Sequence, residues 1–279
     1  MPIHDQGYRR YGGGKAPRGQ AWMVITRAGI RTMLAKRTFL GLLLLAWFPF
    51  FVRAVQIYAA ANLPQAQFLA PTSETFRQFL DQQATFVFFV TVYVGAGLIA
   101  NDRRANALQI YLSKPLTRAE YVFGKFAILA SFLLLVTFVP AIVLLIVQIA
   151  FAGNFTFLMN NLFLFPAITV FCAVETIMVA TAMLALSSLT KSTRYVGILY
   201  AAVVFFTSAI YGVLYATTRS SSLSWISPPA NLKQIGNVIF RLPLAYDTPW
   251  PMNFLAILVL IVGSAFVLER RVRGIEVVA

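Results

Sequence analysis

Apolar residues gather into six long runs: about Thr38 to Tyr58, Thr85 to Ala100, Phe126 to Ile149, Leu162 to Leu186, Tyr195 to Ala216 and Met252 to Leu268. Four are long enough to cross a hydrocarbon layer of roughly 30 Å as helices. The second and last are short, and are expected to extend through Gln82-Gln83 and Pro251 or to tilt less than the others. Between the runs the periodicity changes. From Gln20 to Arg37, Met23, Thr26, Ile30, Met33 and Leu34 share one face while Arg27, Arg31 and Lys36 lie apart, which predicts a short basic amphipathic helix ahead of the first span. After the break at Pro228-Pro229, Leu232, Ile235, Val238 and Ile239 alternate with polar residues, which predicts an amphipathic helix over Asn231 to Leu242, packed back on the outer membrane face. Pro140 predicts a kink in the third span.

The stretch from Gly95 to Lys125 joins the second and third spans through a compact basic hinge. Asn101 or Asp102 is placed to cap a short helix whose Ala105, Leu108, Tyr111 and Leu112 fall on one side, with Arg103, Asn106 and Gln109 on the other. Pro115 disfavours helix at Lys114, and Thr117-x-x-Glu120 forms a capping box with Leu116 and Tyr121 as its hydrophobic staple. A new helix is therefore expected to start at Arg118.

Composition narrows the class. With 59% hydrophobic residues, 11% charged residues and a mean hydropathy of +0.75, the 279-residue chain reads as an all-α polytopic membrane protein. A flexible basic tail is expected over residues 1–20 and one six-helix domain over 21–279. The net charge of +14 is explained by topology rather than by nucleic acid, because the cations flank apolar spans and no base-stacking or groove-binding motif accompanies them. Of the 23 lysines and arginines, all but Arg53, Arg77, Arg219, Lys233 and Arg241 fall on the side that carries both termini and the hinge. That side is expected to be cytoplasmic. Ala59-Ala60-Ala61 offers a cleavage-like pattern, but the 37 residues ahead of the first run favour an uncleaved anchor.

Candidate chemistry is sparse. One Cys and one His exclude a disulfide framework and a Cys/His metal site. Gly12-Gly13-Gly14-Lys15 is not a phosphate loop, since Ala16 follows the lysine and no strand precedes it. The carboxylates are scattered, and no nucleophile sits beside a candidate base, so the chain is not expected to be an enzyme. Glu175 is the one acid deep in a run. It is read either as an interhelical partner, near the small and polar positions Thr169, Cys172, Thr176 and Ala180, or as a proton or substrate site, with Arg53 as the candidate counter-charge. In the fifth run Tyr200, Val204, Thr207, Ser208, Tyr211 and Tyr215 gather on one stripe, read either as ordinary packing, the reading taken for Tyr200, or as a path or dimer face, to which Thr207, Ser208 and Tyr211 are assigned.

The hinge also carries a resemblance. Gly97, Asp102-Arg103, Ala107-Leu108, Leu112, Pro115-Leu116-Thr117-Arg118, Glu120 and Gly124-Lys125 resemble the loop of ABC-2 type permeases, the membrane subunits of ABC exporters. Asp102 stands where that family more often has Glu, and Asn106 where it often has Gly. The resemblance implies six transmembrane helices, with an N-terminal amphipathic elbow helix and a cytoplasmic coupling helix between helices 2 and 3. It implies a cell-membrane protein with cytoplasmic termini that pairs with a second permease chain and with cytoplasmic ABC ATPase subunits. ATP and Mg would be bound by those partners and no cofactor by this chain. Asp102, Arg103, Arg104, Leu108, Tyr111, Pro115, Thr117, Arg118 and Glu120 would then couple ATP hydrolysis to a substrate path. The alternative is an ion-coupled secondary transporter or channel that uses Glu175.

Overall fold

The computed structural model describes residues 21–65, 70–107, 117–152, 159 and 161–272. Among these residues every regular element is a helix. Six of the helical stretches are long and apolar enough to cross a membrane, as the six runs anticipate.

An amphipathic helix α1 (Ala21–Leu34) precedes the first span. It crosses α6 (Arg118–Val136) at a close glycine contact: a Cβ on Gly124 would lie 3.0 Å from Ile25 Cβ, and Thr26 Oγ1 donates to the Gly124 carbonyl at 3.2 Å. Trp22 meets Phe123 edge to face at 5.0 Å. Thr26, Ile30 and Met33 of the expected face pack inward, joined by Trp22 and Ile25, while Met23 and Leu34 are exposed. The glycine admits the neighbouring helix where a larger residue would hold it off.

The first span is broken into α2 (Arg37–Ala46) and α3 (Phe48–Asn62) at Trp47, beside Pro49. The second combines α4 (Ser73–Val90), a π turn (Thr91–Gly95) and α5 (Gly97–Arg104). It extends through Gln82-Gln83 as expected, and further, because Thr72 and Thr75 form a capping box that starts the helix at Ser73. The third span breaks at Thr137 between α6 and α7 (Phe138–Ala152), one turn before Pro140. Thr137 stays satisfied there by donating its hydroxyl to the Leu133 carbonyl at 2.8 Å. The remaining spans are α8 (Leu164–Leu189), α9 (Thr193–Thr218) and α11 (Trp250–Arg271), with the shorter α10 (Pro228–Ile239) between the last two.

The central pillar is α8, whose apolar window is 61% buried against 11% for α9 and 17% for α11. Two cores stack along it. One packs the second half of α8, including Met183 and Leu184, with α2, α4, α5 and α6. The other packs its first half, including Ile168 and Cys172, with α3, α7 and the start of α4. Glu175 lies on α8 at the seam between them.

α10 starts at Pro228 behind the N-cap Ser227, whose hydroxyl accepts from Ala230 N. It docks on α8, α9 and α11 within the protein, and its buried side includes Asn231 and Gln234 as well as Ile235. That corrects the expected membrane-facing placement: the polar residues are held inside because each finds partners there.

Candidate functional site

Polar side chains converge at two places. The first is the end of the bundle where α5 and α6 meet the hinge. Asp102 Oδ2 accepts from the Tyr121 hydroxyl at 2.7 Å and lies 2.7 Å from Lys125 Nζ. The Arg103 guanidinium turns back to donate to the Ser188 carbonyl at the end of α8. Beside it the buried Ser187 hydroxyl accepts from Ile99 N and Ala100 N at 3.1 and 3.0 Å and donates to the Ala96 carbonyl at 2.9 Å. The Thr193 hydroxyl, at the start of α9, donates to Asn101 Oδ1 at 3.0 Å. Spans two to five are thereby tied together at this end.

Asn101 and Asp102 therefore do not cap a new helix. They occupy the last turn of α5, and the chain turns after it at Ala105 and Asn106, the latter with φ 53°, a left-handed conformation that asparagine tolerates. The capping box at the start of α6 is present as expected: Thr117 Oγ1 accepts from Glu120 N at 3.2 Å, and Glu120 Oε2 accepts from Thr117 N at 2.9 Å. Arg104 and Arg118 are exposed. Leu108, Tyr111 and Pro115 lie outside the described residues, as do Leu112, Leu116 and the tail over 1–20.

The second place is a cavity of about 390 Å³ between α4, α8, α9 and α10. Leu80, Val87, Phe88, Met178 and Val204 make most of its wall apolar, while Arg77, Asp81 and Glu175 give it charge. Arg77 is 2% exposed and pairs with Asp81 across one helical turn at 2.8 Å. Its guanidinium stacks over Phe171 at 4.4 Å and lies so close to α10 that a Cβ on Gly236 would fall 2.6 Å from Arg77 Cζ. Arg77 Nε and Glu175 Oε2 have no hydrogen-bond partner, although both residues are buried. An apolar hollow with a few convergent polar groups is the usual form of a small-molecule site.

Arg53 is not the counter-charge of Glu175. It donates to Gln56 Oε1 at 2.8 Å and to Gln78 Oε1 at 3.4 Å. Arg77 shares the cavity with Glu175 instead, and its ion-pair partner Asp81 is partly exposed, so among the described residues Glu175 remains the one acid buried within a span. Arg77 and Asp81 both fall outside the run that begins at Thr85. The signal that finds them is Thr72-x-x-Thr75, followed by Phe76, Phe79, Leu80, Gln83 and Val87 at helical spacing. Ser208 and Tyr211 line the cavity, whereas Thr207 is absent from its wall and folds back on the Val203 carbonyl at 2.5 Å.

The side of the cavity away from the hinge is capped by α10 and the loop after it. Gln234 Nε2 donates to the Tyr246 and Thr248 carbonyls at 3.0 and 2.9 Å, and its Oε1 accepts from Ala245 N and Tyr246 N at 2.9 and 3.1 Å. Asn253 Nδ2 donates to Asn231 Oδ1 at 2.8 Å, which fastens α11 to α10. The Ser208 and Ser227 hydroxyls meet at 3.1 Å and fasten α9. Outside the spans, the hydroxyl and backbone amide of Ser221 hold the Asp247 carboxyl below the usual carboxylate range.

A protein-family model described as ABC-2 family transporter protein matches residues 23–268, most of the chain and nearly all of the bundle. No curated protein matches it.

Proposed function

The chain belongs to the ABC-2 transporter family and is a multi-pass membrane component of a transporter, and from that premise we propose that it is the permease subunit of an ATP-driven exporter. Separate cytoplasmic ABC ATPases hydrolyse the nucleotide, with Mg, and this chain pairs with a second permease to form the path. The hinge end faces the cytoplasm, in keeping with the distribution of its cations.

The observation that carries the reading is the continuous connection from hinge to cavity. Asp102, Tyr121 and Lys125 fix the end of α5 to the start of α6, while Ser187 and Ser188 fix α5 to α8. Glu175 lies on that same α8, about 20 Å from the Ser187 level by helical rise. A push on the hinge from a closing ATPase is passed through these packed ends rather than absorbed by a loose loop. Thr117 and Glu120 set where α6 begins and so set the direction of the push. In this reading Arg104, Leu108 and Tyr111 touch the ATPase, Pro115 shapes the approach, and Arg103 and Asp102 act within the chain. Arg77, Asp81, Glu175, Ser208 and Tyr211 border the path.

The test is copurification of a nucleotide-binding subunit in mild detergent, followed by ATPase measurement for wild type and for Arg104→Glu/Leu108→Asp. Loss or uncoupling of the ATPase in the double variant, with the permease still monodisperse, is the expected outcome. If no such subunit accompanies intact protein, and if flux proceeds without ATP and depends on Glu175, the ion-coupled alternative replaces this reading.

A further inference from the structure

A second hollow lies away from the path. Between α6, α8 and α11, a lateral cleft of about 950 Å³ opens at the hinge end of the bundle. Val122, Phe123 and Phe126 of α6, Ile177 and Leu184 of α8, and Leu268 of α11 form apolar walls. Its mouth carries two charges of opposite sign: Arg118, the first residue of α6, and Glu269, in the last turn of α11. Both are exposed, and among the described residues neither belongs to an ion pair, the two pairs there being Arg77–Asp81 and Lys125–Asp102. Along α6 the wall runs about 12 Å from Arg118 to Phe126 by helical rise, from the level of a membrane surface into the level of acyl chains.

The occupant must match one cation, one anion and an apolar slot. A guanidinium suits a phosphate, to which it can present two parallel N–H donors. A carboxylate lining the same cleft suits a primary ammonium and opposes a second negative charge. We propose that this cleft binds phosphatidylethanolamine from the adjoining leaflet, with its phosphate on Arg118, its ammonium on Glu269 and an acyl chain against Phe123, Phe126 and Ile177. An anionic phospholipid satisfies Arg118 and leaves Glu269 facing a headgroup without a cation. Binding here requires neither ATP nor the path, so it stands apart from the function proposed above.

Lipid retained by the purified full chain after exchange into an equimolar mixture of phosphatidylethanolamine and phosphatidylglycerol, quantified by mass spectrometry, tests the assignment. Wild type should retain the ethanolamine lipid in about fivefold excess, equivalent to roughly 1 kcal/mol for one charge contact at a membrane surface. Glu269→Gln should abolish the excess while keeping phosphatidylglycerol, Glu269→Asp should preserve the excess, and Arg118→Gln should lower retention of both lipids. Size-exclusion profiles of all three variants report whether the fold is kept. Equal retention of the two lipids by wild type overturns the proposal. So does an unchanged ratio in a well-folded Glu269→Gln, the result expected if a protein segment rather than a lipid fills the cleft.

Discussion

At the hinge end Asp102 is met by both Tyr121 and Lys125, and Ser187 makes three hydrogen bonds, whereas in the cavity Arg77 Nε and Glu175 Oε2 face no partner. The same chain closes one polar cluster and leaves the other open. A closed cluster holds helices in one arrangement, while an open one of buried charge remains available to a ligand or to a second arrangement of the helices. The difference supports the coupling proposed above, in which force enters at a stiff end and acts at a soft middle.

The comparison is broken most sharply at Arg77. Arg77→Ala leaves Asp81 and Glu175 without their cation, and we expect it to cost about 3–5 kcal/mol, read as a large fall in thermal stability in detergent. Replacing the whole set, Arg77→Met with Asp81→Leu and Glu175→Leu, should restore stability to near wild type while abolishing transport. Transport by that stable triple variant would show the charges to be structural only. A smaller effect belongs to the hinge end. A double-mutant cycle of Asp102→Asn and Lys125→Met should give a coupling of about 1–2 kcal/mol, because the pair is largely shielded, with side chains 17% and 13% exposed. Coupling indistinguishable from zero would reduce it to an ordinary surface ion pair.

The smallest effect is at the cap over the cavity. The Asp247 carboxyl titrates below its ordinary value of about 3.9, so its contribution is fully present above that value and is lost as acid takes the pH down through the lowered one. Amide exchange at Ser221 and Asp247 should therefore accelerate over that acid window in wild type. In Asp247→Asn it should lack the step, and a step of equal size there would assign the titration elsewhere.

What the sequence made legible is local in origin. The six spans, α1 and the Thr117–Glu120 box follow from periodicity and from pairs three residues apart. The partner of Glu175 does not. Helical rise places Arg53 at a depth but says nothing of which way its helix is turned, and Arg77 comes to the cavity of Glu175 through its stacking on Phe171, a contact between α4 and α8 that no local pattern encodes. The end of α5 lies beyond the expected cap for a related reason. Asn101 has the chemistry of a cap, but Ser187 from a distant helix holds the preceding backbone in the bundle and carries the helix on to Arg104. Likewise α10 shows its amphipathicity in sequence, yet the side it buries is decided by the carbonyls and amides around Asn231 and Gln234.

The π turn at Thr91–Gly95 stands between the two clusters on one continuous span. Such a turn accommodates one residue more than regular helix does, and one residue corresponds to about 100° of rotation. The number of residues between Arg77 and Asp102 is therefore a setting of azimuth as much as of length. A chain one residue shorter at this point would have the more regular helix, and would aim either its cavity charges or its hinge acid away from the partners they meet here. In genetic terms, loss of one residue here should be felt at both clusters, whereas a substitution, even at Gly95 where a Cβ would meet Met183, acts on its own neighbours.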